Sequence, residues 1–141
     1  MKFDLLISML ITGCLSTVIV KVGVEGTLKC SKPFRYRMEL EEEDGWPLGH
    51  DHIASFPYRN SEPTALHHTG FFKVEGWGFD LPLVEFSIEP YLVVHHNCGK
   101  NQYNCFCVTL GDTGRSKTYT LHVDLEDPYY KPCDRCHYNT Q

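Results

Sequence analysis

The chain has 141 residues, of which 42% are hydrophobic and 13% aromatic, and a formal net charge of −5. This composition predicts one folded domain and excludes a disordered chain, which would combine low hydrophobicity with high net charge. The acidic side chains concentrate in residues 39–44, which we interpret as a solvated strand end. No basic stripe offers the phosphate neutralisation that nucleic-acid binding requires, so nucleic acid is not an expected partner.

The first twenty residues carry one lysine and then an apolar run, interrupted by Gly13 and Ser16, that is too short to span a membrane. This pattern is typical of a secretory signal peptide, and we assign residues 1–20 to it. Ser16, with Cys14 two residues before it, suits signal peptidase, and cleavage near Val20 is also compatible with the sequence. A lipobox ending at Cys14 is the alternative, but the apolar run continues past that cysteine. We therefore expect a secreted, extracellular protein that does not span the membrane.

Six cysteines follow the predicted signal peptide, and in an oxidising compartment an even number indicates disulfides. Six cysteines permit 15 pairings, so spacing alone does not fix the connectivity. We expect the two cysteines of the C-terminal tail, residues 128–141, to fasten it to Cys105 or Cys107, whose side chains we expect on opposite faces of their strand. The disulfide candidates are Cys30, Cys98, Cys105, Cys107, Cys133 and Cys136.

The tail places Cys133, Cys136 and His137 in the C-x-x-C-H spacing of c-type haem attachment. Only four residues follow His137, and the preceding segments offer no helices to enclose a porphyrin. A thioredoxin-like dithiol is disfavoured too, because its first cysteine would open a helix after a strand. We expect no cofactor here and interpret the motif as a disulfide clasp.

Alternation of apolar and polar side chains is the clearest structural signal in the chain. Residues 20–30, 34–41 and 117–126 have apolar side chains at every second position, which predicts strands with one buried face. Residues 42–63 lack this pattern and are predicted to form a long irregular loop. No segment has the apolar spacing of a helix, so we predict an all-β sandwich of about seven or eight strands over residues 21–127. Four further segments rich in β-branched and aromatic residues are also predicted strands: 70–76, 81–88, 91–96 and 105–110.

A set of residues spread over these segments forms one pattern. It consists of Gly26, Leu28 and Cys30, then Gly70, Phe72 and Gly76, then Pro90, Tyr91, His96 and Cys98, and finally Cys105. With the alternating strand that closes it, the pattern resembles the nematode transthyretin-like family of secreted proteins over about residues 22–126. The resemblance implies a transthyretin-like (immunoglobulin-like) β-sandwich, stapled by disulfides, that acts outside the cell by binding. It also leads us to expect a structural hydrogen bond from His96 near Cys98.

Three functional hypotheses follow. The first is a binding module whose partner is an extracellular or cell-surface protein, a lipid or a small apolar ligand. The second is a hydrolase or a metal-dependent enzyme, but the related 5-hydroxyisourate hydrolases end in Tyr-Arg-Gly-Ser and this chain ends in Cys-His-Tyr-Asn-Thr-Gln. We therefore expect no enzyme and name no catalytic residue. The third is a structural homo-oligomer, because the transthyretin relatives form tetramers.

The contact region is predicted in residues 46–58, where the family pattern is left behind and aromatic side chains stand among turn-forming residues. Within it, His50 and His52 are close enough to share one metal ion if a third ligand joins them. Surface or packing roles explain these histidines more simply, so we expect no metal. The candidate binding residues are Trp46, His50, His52, Phe56 and Tyr58.

Overall fold

The computed structural model describes residues 17–44, 49–80, 87–99 and 104–136, and in these residues every regular element is a strand. The strands form two four-stranded sheets, with the order β4-β5-β1-β8 in sheet A and β3-β2-β6-β7 in sheet B. The prediction of an all-β chain is therefore confirmed in the described part. The strands are β1 (Val18–Cys30), β2 (Arg35–Asp44), β3 (Gly49–Asn60), β4 (Glu62–Pro63), β5 (His68–Asp80), β6 (Pro90–His96), β7 (Asn104–Thr109) and β8 (Lys117–Asp124).

The hydrophobic core lies between the two sheets. The apolar members of the alternating segments point into it, as Val24 of β1 and Met38 of β2 do, and fully burying such a side chain contributes about 1.5–3 kcal/mol. The Tyr36 hydroxyl also donates a 2.7 Å hydrogen bond to the carbonyl oxygen of Phe71, joining sheet B to sheet A through the interior. The buried core residues are Val20, Val22, Val24, Leu28, Cys30, Phe34, Tyr36, Met38, Leu40, Phe72, Val74, Ile88, Leu92, Val94, Cys98, Phe106 and Val123.

The prediction of an irregular loop over residues 42–63 is wrong for most of the part that the structure describes. Gly49–Asn60 forms β3, which pairs with β2 at one edge of sheet B. Two register shifts interrupt the pairing, one near Arg37 and one after Leu40. Such bulges break the period of two, and Pro57, which lacks a backbone donor, is tolerated because this strand lies at an edge. The alternation that predicts a strand is therefore missing from a segment that forms one.

The structure also bears on two further predictions, the strand over residues 81–88 and the solvated acidic strand end. Most of the predicted strand 81–88 lies outside the described residues, and Ile88 makes only an isolated bridge with Thr113. The acidic strand end is only partly solvated, because Glu41 and Glu42 are buried whereas Glu43 is exposed. Glu41 is contacted by Arg135 of the C-terminal tail, whereas Glu42 points into the interior, where its Oε2 lies beside Gly78 of β5.

Three disulfides fix the chain. One joins β1 to the residues after β6 and so links the two sheets, while the other two fasten the tail to β7. The predicted fastening of the tail is confirmed, but the expectation of opposite faces for Cys105 and Cys107 is wrong, because residues two apart on a strand share a face. Both point away from the core, so the tail lies across the outer face of sheet B. The pairs are Cys30–Cys98, Cys105–Cys136 and Cys107–Cys133.

The beginning of β1 falls inside the segment assigned to the signal peptide. Residues 1–16 lie outside the described residues, but β1 starts at Val18 and Val20 is part of the core. Cleavage after Ser16 would keep this strand complete. Cleavage after Val20 would remove Val18–Val20 and their pairing with the end of β5. Nowhere in the described ranges is there a helix long and apolar enough to cross a bilayer.

Candidate functional site

A cleft of about 260 Å³ lies where the C-terminal tail crosses the outer face of sheet B, and we call it the tail cleft. The Cys107–Cys133 disulfide forms part of its wall. The tail turns back at this point, with the Cys136 amide donating a 3.1 Å hydrogen bond to the Cys133 carbonyl oxygen. Acidic residues at the cleft, among them Glu43, Asp112 and Asp134, outnumber its one arginine, Arg135.

A hydrogen-bonded network of four side chains joins the tail to the sheet at this cleft. The Tyr91 hydroxyl donates to Glu41 Oε2 at 2.5 Å, and Arg135 Nε of the tail donates to the same oxygen at 2.7 Å. Tyr91 Oη is also 2.8 Å from His50 Nδ1. A phenol has one proton and Glu41 accepts it, so His50 must donate its Nδ1 proton to the Tyr91 oxygen. All four side chains are thereby oriented by one another.

The protonation states of this network do not favour catalysis. Burial alone would raise the pKa of Glu41, but hydrogen bonds from Arg135 and Tyr91 outweigh it and hold the pKa below its ordinary value. Burial, together with the hydrogen bond to Glu41, raises the pKa of Tyr91 above its ordinary value. A carboxylate that already accepts two hydrogen bonds and has a lowered pKa is a poor base, and a phenol with a raised pKa is a poor nucleophile. The network is therefore suited to holding the tail in place.

The structure does not bring the four predicted binding residues that it describes, His50, His52, Phe56 and Tyr58, to one surface. His50 belongs to the network, whereas the Phe56 ring packs inward, stacked 5.9 Å from Tyr36 between ring centroids. The Tyr58 ring is half-exposed, with the guanidinium carbons of Arg35 and Arg37 lying 5.3 and 5.5 Å from its centroid. Trp46 lies outside the described residues.

The alternative in which His50 and His52 share a metal ion finds no third ligand in the described ranges. His52 Nε2 lies 3.1 Å from the Ser55 hydroxyl, and His50 is engaged by Tyr91. The groups of three possible ligand atoms found in those ranges contain no histidine and consist mainly of disulfide-bonded cysteines. A sulfur bound to another sulfur has no thiolate to offer a metal.

The residues of the sequence pattern that lie in and just after β6 have structural roles. Pro90 and Tyr91 begin the strand and are buried on opposite faces. His96 faces the core, where its Nδ1 accepts a 3.1 Å hydrogen bond from the Cys98 amide, as predicted, and its ring meets Phe106 edge-on at 5.7 Å. Burial lowers the pKa of His96 to about 4, so the imidazole is neutral at physiological pH.

The outer face of sheet A exposes a group of large apolar side chains. Ile19 of β1 lies directly opposite Phe79 of β5, and Trp77 is the next outward residue along β5. Their exposed fractions are 63%, 57% and 61% respectively. We call these three residues the aromatic face. They form a patch that no described part of the chain covers.

Charged side chains beside the aromatic face neutralise one another. Lys21 lies opposite Trp77 and pairs with Glu75 at 3.2 Å, and the next pair along the strands joins Lys73 to Glu25 at 3.8 Å. Exposed pairs of this kind contribute little to stability, with a typical value of about 0–1 kcal/mol. Their effect is to leave this region close to neutral in a chain that carries −5 overall.

The aromatic face was not predicted from the sequence, although a signal for it exists. The predicted strand stopped at Gly76, whereas β5 continues to Asp80. Outward and inward positions keep alternating beyond Gly76, which places Trp77 and Phe79 on the outer face together with Phe71. Extending the period of two by four residues would have found the patch.

Comparison with known proteins gives no match, either to a family model, to a curated protein or to a solved structure. Function is therefore inferred from the two surfaces described above. The tail cleft is bounded by side chains that hold one another, whereas the aromatic face presents apolar area to solvent.

Proposed function

We propose that this protein is a secreted extracellular binding module with a transthyretin-like fold, and that it recognises an extracellular or cell-surface protein through the aromatic face. The observation that carries the proposal is the exposure of Ile19, Trp77 and Phe79 side by side. Contiguous exposed apolar side chains mark interaction sites on soluble proteins, and tryptophan is enriched among residues that dominate binding energy.

The disulfides and the N-terminal sequence support the extracellular location. Structural disulfides persist in oxidising compartments, and here all six cysteines of the described residues are paired. The N-terminal segment has the composition of a signal peptide. Both features are expected of a protein that works outside the cell.

Close packing at glycines supports the transthyretin-like assignment, because it gives the family pattern a physical reason. A Cβ atom added at Gly70 would lie 2.6 Å from the Tyr36 ring, and one added at Gly76 would lie 2.6 Å from the Ile53 carbonyl oxygen. The two sheets approach each other at these points through residues that the resemblance singled out. The pattern therefore encodes contacts between the sheets.

A protein is the favoured partner because of the shape and charge of the aromatic face. Small apolar ligands are usually enclosed in a concave cavity, whereas these three side chains are more than half-exposed. Binding to an anionic membrane would be aided by a basic rim, but Lys21 and Lys73 are each paired with a glutamate. A neutral apolar patch matches the central part of a protein interface.

Replacing Trp77 with alanine should weaken partner binding at least about tenfold, the loss expected when a central interface residue is removed. The partner is first identified by capturing extracellular and cell-surface proteins on the immobilised wild-type chain. The purified candidate is then titrated against wild type, Trp77→Ala and Phe79→Ala by biolayer interferometry.

Tyr129→Ala is the matched control, because Tyr129 is an 80% exposed aromatic residue of the tail, away from the aromatic face. It should bind like wild type, and circular dichroism should show that all variants are folded. Equal affinity of Trp77→Ala and Tyr129→Ala for the partner would place the interface elsewhere. Sedimentation of wild type alone tests for a homo-oligomer. If wild type forms one and Trp77→Ala is monomeric, the aromatic face binds a second copy of the chain and not a different protein.

A further inference from the structure

The two disulfides that fasten the tail lie in contact with each other. Because Cys105 pairs with Cys136 and Cys107 with Cys133, the sulfurs of the C-x-x-C motif are both held against β7. Cys133 Sγ and Cys136 Sγ are 3.6 Å apart, although each is bonded to a different cysteine of the strand. A sulfur released from one disulfide would therefore stand beside the other disulfide.

The two disulfides differ in accessibility. Cys105 and Cys136 are buried, with exposed fractions of 5% and 8%, and pack with Tyr91 and Val93 under the tail. Cys107 and Cys133 are only partly buried and line the open tail cleft. Thiol–disulfide exchange requires access of a thiolate to sulfur, so an external thiolate reaches the Cys107–Cys133 bond first.

We propose that this pair of disulfides is a thiol–disulfide exchange site that accepts two electrons from a dithiol, either a small molecule or a protein, and passes them to the buried disulfide. This inference is independent of partner binding at the aromatic face. It gives the C-x-x-C motif a chemical role in addition to that of a clasp.

The exchange has three steps. A thiolate of the dithiol attacks Cys107 Sγ, forming a mixed disulfide and leaving the electron pair on Cys133 Sγ. The Cys133 thiolate turns to attack Cys136 Sγ, forming the Cys133–Cys136 bond and breaking the bond to Cys105, whose thiolate takes up a proton. The second thiol of the reductant then attacks the reductant sulfur that is bonded to Cys107. This closes the reductant's disulfide and releases Cys107 as a thiolate. One dithiol is oxidised to a disulfide, and the protein gains two thiols while keeping one disulfide in the tail.

The local geometry favours the second step. Only two residues separate Cys133 from Cys136, so closing this loop costs little chain entropy, and the hydrogen bond from the Cys136 amide to the Cys133 carbonyl oxygen already forms the turn. The product frees the tail from β7. The cover over Tyr91 and Val93 is then held only by non-covalent contacts such as that of Arg135 with Glu41.

The test treats the oxidised protein with one equivalent of dithiothreitol, followed by acid quenching, alkylation of free thiols and disulfide mapping by mass spectrometry. The expected two-electron product has Cys105 and Cys107 alkylated and Cys133 linked to Cys136. Peptides containing the Cys105–Cys136 and Cys107–Cys133 links should disappear together, while the core Cys30–Cys98 link remains. Alkylation of Cys107 and Cys133 with Cys105–Cys136 intact would overturn the proposal.

A double variant distinguishes exchange between the two disulfides from simple reduction of one of them. In Cys105→Ser/Cys136→Ser the Cys107–Cys133 disulfide has no neighbouring disulfide to attack, so one equivalent of dithiothreitol should leave Cys107 and Cys133 both alkylated. If wild type gives this same pattern, transfer between the two disulfides does not occur. The wild-type map decides the question by itself if the variant fails to fold.

Discussion

Replacing Gly26 with alanine should lower the free energy of unfolding by more than about 3 kcal/mol, or prevent folding altogether. Gly26 lies opposite Leu121 where β1 and β8 run side by side in parallel. An added Cβ atom would stand 1.8 Å from the Leu121 carbonyl oxygen and 2.7 Å from its carbonyl carbon. Because the obstacle is backbone, relief requires separating β8 from the central strand of sheet A. Urea denaturation followed by circular dichroism measures the loss.

Gly23→Ala is the matched control, three residues earlier on the same strand. Its Cβ atom would meet the Thr118 side chain, with the hydroxyl oxygen at 3.0 Å, and a side chain rotates away far more easily than backbone. We expect a change within about 1 kcal/mol, helped by the lower chain entropy of alanine in the unfolded state. Similar denaturation midpoints for the two variants would mean that β1 and β8 are not packed as described.

Acid should destabilise the protein strongly between pH 6.5 and pH 4, chiefly through His96. Burial, followed by the nearby His95, lowers the pKa of His96 from 6.5 to about 4 in the folded state. The unfolded chain therefore binds the proton first as the pH falls, and the stability present above pH 6.5 is lost through this window. The difference corresponds to about 3 kcal/mol. Burial also lowers the pKa of His95, which acts in the same direction.

His96→Asn isolates this contribution, because an asparagine oxygen can accept the hydrogen bond from the Cys98 amide but does not titrate there. The variant will be less stable at neutral pH, since it loses the ring contact with Phe106. Its free energy of unfolding, measured by urea titration at several pH values, should nevertheless fall less steeply between pH 6.5 and pH 4. Equal slopes for wild type and variant would show that His96 is not buried as a neutral imidazole.

The strands with clean alternation were predictable, because burial of one face imposes a period of two. This holds for β1, β2 and β8, whose inward residues, such as Leu28 and Met38, were identified correctly. The pattern fails for β3, where two bulges shift the register and Pro57 has no backbone N–H to donate to a neighbouring strand. A strand at the edge of a sheet can tolerate both, so its sequence carries less of the signal than that of a central strand.

The chemistry of the tail was only partly predictable, since it depends on contacts that spacing does not encode. Spacing suggested that Cys133 and Cys136 fasten the tail, but not which strand cysteine each one meets. The burial of Glu41 follows from the arrival of Arg135, which is separated from it by 94 residues in the chain. A contact over that distance becomes visible only when the tail is seen crossing sheet B.

The disulfides, the network and the aromatic face together suit a binding module of small size. The Cys30–Cys98 link and the tail disulfides constrain both sheets, so the strands that carry Ile19, Trp77 and Phe79 are held in one arrangement before a partner arrives. Preorganisation of this kind reduces the conformational entropy lost on binding. In the proposed function, the exposed aromatic side chains supply the contact area.

Intact mass and non-reducing disulfide mapping of the protein secreted from eukaryotic cells test the central claim, an extracellular module closed by three disulfides, most directly. The account predicts recovery from the medium without residues 1–16 and with the pairs Cys30–Cys98, Cys105–Cys136 and Cys107–Cys133. Retention inside the cell, free thiols at Cys133 and Cys136, or added mass equal to haem would contradict it.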